Sequence, residues 1–188
     1  EFRRVLFRSE AVQGKLVPQD PSDEPAEALL KRIRVEKQRL IKEGKIKKNK
    51  HESVIFRRDN SQYEKRGLEV VCIDDEIPFD IPELWSWCRL NELCTKIGAG
   101  STPTGGKTIY VPEGIKFIRS QNVYNDGLKL NDISYITEEI NAKKKGSIVR
   151  SKDILLNITG GSIGRCAVVP DDFDIANVNQ HVMIIRLV

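Results

Sequence analysis

From residue 88 onward, short apolar segments alternate with glycine turns, and no stretch holds helical spacing long enough for a long helix. Segments 115–119, 133–136, 153–158, 165–169 and 181–187 read as strands, and 137–145 as a short helix. In that helix Glu139 stands four residues before Lys143, an ordinary helical pair. Segment 88–97 reads as one or two helical turns. Strands in this number without regular crossover helices predict an α+β fold rich in β, not an alternating βαβ chain. No internal repeat is visible.

The chain before that point has another texture. Residues 1–9 match no pattern in the rest of the chain and read as a non-native tail. Residues 10–17 read as a helix end broken after Gly14, and the prolines of 18–25 make a connector. A helix is predicted over 25–43, capped by Ser22 or Asp23 and stopped at Gly44. Ala26, Leu29, Leu30, Ile33, Leu40 and Ile41 form its apolar stripe, which Lys37 interrupts. Residues 45–75 read as a polar, irregular linker with at most one short strand. Glu76 to Glu83, with two prolines, reads as an extended lead-in. Trp85 and Trp87 read as core or lid residues. The expected organisation is thus a tail over 1–9, a helical spacer over 10–50, a linker over 51–82 and a β-rich domain over 83–188.

Charge narrows the functional classes. Net charge is +4, yet residues 27–50 alone hold ten Lys and Arg against three Glu. Such a stretch attracts phosphates, or it is a solvated helix face. Composition, 39% hydrophobic and 31% charged, excludes a chain disordered throughout. No apolar run is long enough to span a bilayer and no secretory signal is present, so no membrane partner is expected. Cys72, Cys88, Cys94 and Cys166 form no CxxC pair, and with two histidines a structural zinc is not expected. This scatter suits a reducing cytosol, and a cytoplasmic location is expected.

The motifs that suggest catalysis fail on context. Ser101 to Thr108 lies one residue type from a P-loop, with Ser101 where glycine is needed, and the residues after Thr108 read as extended rather than helical. Asn157 to Gly164 runs a strand into a glycine turn without dinucleotide-binding spacing. No metalloprotease, nucleophile-elbow or amino-methylation motif occurs. No catalytic constellation emerges.

Polar side chains on loops remain. Ser101, Thr102 and Thr104, with Lys107, sit on a glycine-rich loop suited to phosphates. Arg119, Ser120, Gln121 and Asn122 come at the end of a strand, and Arg, Gln and Asn can pair with base edges in a DNA groove. Asn157, Asn177 and Asn179 read instead as amides that satisfy turn backbones.

Trp85 to Cys94, Gly98 to Pro103, Phe117 to Val123, Asp153 to Gly160, Ser162 to Arg165 and Asn177 to His181 occur in that order. Together they resemble a target recognition domain of a type I restriction–modification specificity subunit. Gln13 to Pro18 and the helix ending Glu43 to Lys47 resemble that family's central spacer. The resemblance implies sequence-specific binding of double-stranded DNA by a subunit without chemistry of its own. Its partners would be modification (methyltransferase) subunits, which use S-adenosylmethionine, and restriction (helicase-nuclease) subunits, which use ATP and Mg. It further implies a fragment that begins within the spacer, lacks a first recognition domain and is truncated at its C-terminus. The expected DNA contacts are Ser101, Thr102, Thr104, Lys107, Arg119, Ser120, Gln121 and Asn122, with Lys47 and Lys48 attracting phosphates. No cofactor is expected on this chain. The alternative is a non-catalytic scaffold that docks protein through the 25–43 helix.

Overall fold

The computed structural model describes residues 9–49 and 52–188, so the tail over 1–9 lies, but for Ser9, outside the described residues. The chain divides into one unit that runs to Leu93 and includes Val188, and a second over Cys94–Leu187. Trp85, Trp87 and the turn Leu90–Leu93 therefore belong with the first unit rather than with the β-rich domain.

In the first unit, helix α1 spans Ala26–Lys42. Neither Ser22 nor Asp23 caps it: Pro25 holds the cap position, and the Ala26 N–H donates to the Leu84 carbonyl at 2.9 Å. A tertiary acceptor thus does what a side chain was expected to do. The C-terminus ends as predicted, with Gly44 at φ 69° and its N–H on Ile41 O while Lys45 N–H reaches Leu40 O. Lys37, the expected break in the stripe, lies at its centre and is 5% exposed. Its ammonium donates to Asn91 O at 3.0 Å and Glu92 O at 3.2 Å and lies 3.5 Å from Glu52. Leu29, expected inside, is exposed.

The region expected to be an irregular linker is a three-stranded antiparallel meander, β1 (Ser53–Arg58), β2 (Ser61–Arg66) and β3 (Glu69–Cys72). Asp59 and Asn60, both at positive φ, make the first turn, and Gly67 the second. Its polar composition hid the period of two. Glu64 is buried in β2 and accepts from Arg89 at 2.6 and 3.1 Å, from Arg66 at 2.5 Å and from Ser53. The Arg89 guanidinium, then Arg66 and Ser53, hold its carboxyl far below the usual carboxylate range against the opposing effect of burial.

The second unit contains β4 (Cys94–Ala99), β5 (Ile115–Ile118), β6 (Val123–Tyr124), β7 (Gly127–Leu128), β8 (Ser134–Ile136), helix α2 (Glu138–Lys143), β9 (Ile148–Val149), β10 (Ile154–Asn157), β11 (Cys166–Val168), β12 (Ala176–Val178) and β13 (Val182–Leu187). The α+β expectation holds. One sheet has the order β11-β10-β13-β4, all antiparallel; a second, β8-β5-β12-β9, holds one parallel pair, β5 with β12. Of residues 88–97, expected to form one or two helical turns, Leu90–Leu93 does so, whereas 94–97 join β4 and pair with the long apolar strand β13. Ile118, Val149, Leu155, Val178, Val182 and Ile184 belong to the core between these strands. Asp153, fully buried, takes a two-pronged ion pair from Arg186 at 2.7 Å per contact and accepts from the Arg150 N–H.

Two measurements test these contacts. A Cβ on Gly100 would lie 2.0 Å from Val178 O, whereas one on Gly98 meets nothing within 4 Å. Gly100→Ala is expected to destabilise the second unit by about 1–3 kcal/mol and Gly98→Ala by far less, read from urea unfolding. The depressed Glu64 pKa makes its contribution to stability full above the ordinary carboxylate pKa and lost as pH falls toward the folded value. Wild-type stability should therefore fall below about pH 4.5, and more steeply than that of Glu64→Gln.

Candidate nucleic-acid interface

Four loops that lie far apart in sequence meet along one rim of the second unit. Lys144, just past α2, donates to Ser101 Oγ at 2.7 Å. Thr102 donates to Gln180 Oε1, and the Gly100 N–H reaches Val182 O at 3.2 Å. The next residue, His181, shares a 2.6 Å hydrogen bond between Nδ1 and Thr159 Oγ1, and its carbonyl accepts from the Ile158 N–H. Asn157 Nδ2 donates both to Ser120 O at 2.8 Å and to Ser162 Oγ at 3.1 Å. Gln121 donates to Asp132 Oδ2 at 2.6 Å, and Arg119 Nη2 to the Asp132 carbonyl at 3.1 Å. A series of short polar contacts thus runs from Lys144 to Asp132.

The expected site residues do not share one fate. Ser101, Thr102, Ser120, Gln121 and Arg119 are all on this rim. Asn122 is 1% exposed: its Oδ1 accepts from the Arg119 N–H, and its Nδ2 donates to Lys129 O at 2.9 Å. It shapes the 119–122 turn and presents nothing outward. Thr104 and Lys107 are exposed on the segment that continues from the rim, Lys107 within the turn Gly106–Ile109. That turn is too short to bind phosphate as a P-loop helix does. Lys47 and Lys48 are exposed in the first unit, after the end of α1.

Other residues of the rim gave weaker signals in sequence. Arg165 lies 4.6 Å from the ring centroid of Tyr124, with Lys129 at 5.8 Å from the same ring. Ile163, at the glycine-flanked tip between β10 and β11, is 67% exposed. The signal for Arg165 lay in a motif read for its family pattern alone, whereas Gln180 and His181 belong to a polar run, with Asn177 and Asn179, that precedes the last strand. Asp132 gave no signal, because its partners come from a loop ten residues earlier.

The asparagines expected to satisfy turns do so. Asn177, fully buried, accepts from Ser147 Oγ and from the Val178 N–H, and donates to Asn141 and Lys144 O. Asn179 accepts from the His181 N–H at 3.1 Å. Among the described residues, buried Asn157 Oδ1 and Arg119 Nε have no protein hydrogen-bond partner.

The second unit holds twelve Lys and Arg against nine Asp and Glu, net +3. Several of its exposed acids are matched locally, Asp126 by Lys129, Glu139 by Lys143 and Asp174 by Lys116. No group of side chains suited to hold a metal ion occurs among the described residues. The rim is a polar, mildly cationic edge rich in hydrogen-bonding groups, which is chemistry for contacting a surface.

No protein-family model matches the chain. Over 148 residues, 79% of its length, it is 34% identical to the specificity subunit of the type I restriction enzyme EcoAI of Escherichia coli, covering 22% of that protein. Over 93 residues, half of its length, it is 47% identical to the EcoEI specificity subunit of the same organism, covering 13%. Among solved structures it is similar to the HsdS subunit of Thermoanaerobacter tengcongensis, with a TM-score of 0.42 and 15% identity over 98% of this chain and 36% of that one. The chain belongs to the family of type I restriction enzyme specificity subunits. It spans about a fifth of the EcoAI subunit and less of the EcoEI subunit.

Asn157 bridges two loops of the rim, so Asn157→Ala should release both. It is expected to destabilise the second unit by about 1–3 kcal/mol. Amide hydrogen exchange should rise at Gln121 and over 159–164 before it rises in β5 or β13. Unchanged exchange in those loops would show that they hold their shape without the amide.

Proposed function

We infer that this chain reads a duplex DNA sequence as part of the specificity subunit of a type I restriction–modification complex and is itself non-catalytic. The observation that carries the reading is the convergence of the 100–104, 119–122, 157–165 and 177–181 loops on one polar rim. Family membership adds that the relatives carry specificity in their names. Amide and guanidinium groups on such an edge can meet base edges, while hydroxyls and backbone N–H groups suit phosphates. Arg119, Ser120 and Gln121 are the proposed base-proximal residues. Ser101, Thr102, Thr104 and Lys107 are proposed to contact the backbone, and Lys47 and Lys48 to add attraction without sequence preference.

The partners come from the same reading. Modification subunits would methylate adenine with S-adenosylmethionine, and restriction subunits would use ATP and Mg; this chain would hold the duplex in register for them. Among the described residues no helix is long and apolar enough to cross a membrane. We place the complex in the cytoplasm, where its substrate is. The scaffold alternative required a free apolar face on α1. Leu30 and Lys37 of that helix turn inward, with Lys37 on the carbonyls of Asn91 and Glu92, whereas Leu29 and Val35 are exposed, so the salt dependence of binding separates the two readings.

The test uses the full-length subunit assembled with its modification subunits. The complex should prefer one bipartite duplex over scrambled DNA, and its affinity should fall steeply as salt rises. Arg119→Ala should lower affinity for the preferred duplex by about 1–3 kcal/mol and relax one position. Replacing Lys47 and Lys48 together by Ala should weaken all duplexes alike and reduce the salt slope by about two. Equal binding of scrambled and selected duplexes by the wild-type complex would refute the reading.

A further inference from the structure

Asp132 differs from Asp126, Glu139 and Asp174, the exposed acids of the second unit that a lysine meets closely. Its side chain is 86% exposed, yet its backbone is fixed by Arg119 Nη2 and by buried Asn122, both donating to its carbonyl. Its carboxylate is oriented from one side alone. Gln121 donates to Oδ2 at 2.6 Å, and the Arg119 guanidinium lies 3.8 Å from the same oxygen. Among the described residues no hydrogen bond reaches Oδ1. By contrast, Asp126, Glu139 and Asp174 each have a lysine within 2.7 Å.

A carboxylate on a phosphate-binding edge repels what that edge must approach. It is tolerable where it meets a hydrogen-bond donor on the DNA. An ionised carboxylate accepts and never donates. In the major groove the donors are the exocyclic amino groups, N6 of adenine and N4 of cytosine, while guanine and thymine present acceptors at the matching edges. We propose that Asp132 is a specificity-determining residue of this chain. Gln121 and Arg119 set its orientation, and its Oδ1 accepts from the exocyclic amino group of one adenine or cytosine in the target. Gln121 and Arg119 then act at this position through Asp132 rather than by reaching the base themselves. Sequences that place an acceptor there leave the carboxylate unpaired and are rejected. The proposal rests on the reading of the rim as a DNA interface.

The experiment begins with the full-length subunit in complex with its modification subunits and a randomised duplex pool, from which a preferred duplex is selected. Each adenine of that duplex is then replaced in turn by purine, and each cytosine by 2-pyrimidinone, which removes single amino groups and separates the two sources. The wild-type complex should lose about ten- to hundredfold affinity at one such position near the rim. Asp132→Ala should abolish the loss there and nowhere else, while Asp132→Asn, which keeps an acceptor, should retain part of it. If both variants bind every duplex more tightly by one common factor, the carboxylate only repels phosphates and the proposal fails. It also fails if the scan is the same for wild type and Asp132→Ala. If the pool yields no preferred duplex for the wild-type complex, the DNA-recognition reading beneath it falls as well.

Discussion

Loops of glycine and short polar residues keep one shape only when something buried satisfies their backbone groups. In Cys94–Leu187 that work falls to asparagine. Asn122 closes the 119–122 turn from within, Asn157 ties it to the next hairpin, Asn177 joins α2 to β12, and Asn179 sets the approach to His181. A primary amide both donates and accepts from one compact group, so a single side chain can serve two strands of chain at once. Each is buried, where a matched amide is rigid; Asn157 acts through two donations from Nδ2, its Oδ1 having no protein partner among the described residues. The apolar strands beneath supply cohesion, but the positions of Ser120, Gln121 and the 159–164 tip depend on these amides.

That architecture explains why charge is a poor guide to this rim. A net +3 over the whole unit draws a polyanion weakly, and several of its lysines are matched by neighbouring acids. The stronger resource is directional: donors and acceptors held at fixed places by bonds behind them. Preorganised groups lose little entropy on contact, so discrimination can exceed what attraction alone would give. The dense basic stretch at 27–50 lies in the other unit and has partners of its own, with Arg34 on Glu92 and Arg39 on Glu36 and Glu43.

The sequence was legible where one local signal was enough. Strands such as Ile154–Asn157 and Val182–Leu187 carry their own apolar pattern, the short helix expected over 137–145 is Glu138–Lys143, and Gly44 ends α1. It was illegible where structure comes from distance. In the meander over 53–72 the apolar residues of β1 and β3 come in runs, Val54-Ile55-Phe56 and Val70-Val71-Cys72, and β2 is almost wholly polar, so no period of two shows and the segment reads as a linker. Lys37 looked like a flaw in a helix because its acceptors, the carbonyls of Asn91 and Glu92, lie more than fifty residues away. The site was half visible for the same reason. Arg119 and Gln121 could be seen as a polar run, but not that both turn to Asp132, nor that Asn122 turns inward.

The difference between Gln121 and Asn122 shows what a run of polar residues contains. They are neighbours of the same chemical type, yet the three-residue turn Ser120–Asn122 sends one amide outward and draws the other beneath the loop. Sequence chemistry alone assigns both to a base edge. Geometry gives the buried one the backbone and leaves the exposed one an acidic neighbour. The unit we propose for recognition is then the arrangement Arg119–Gln121–Asp132, in which a cation and an amide hold an acceptor in place. A substitution at any of the three alters the same presented oxygen, so their effects on binding should be coupled rather than additive.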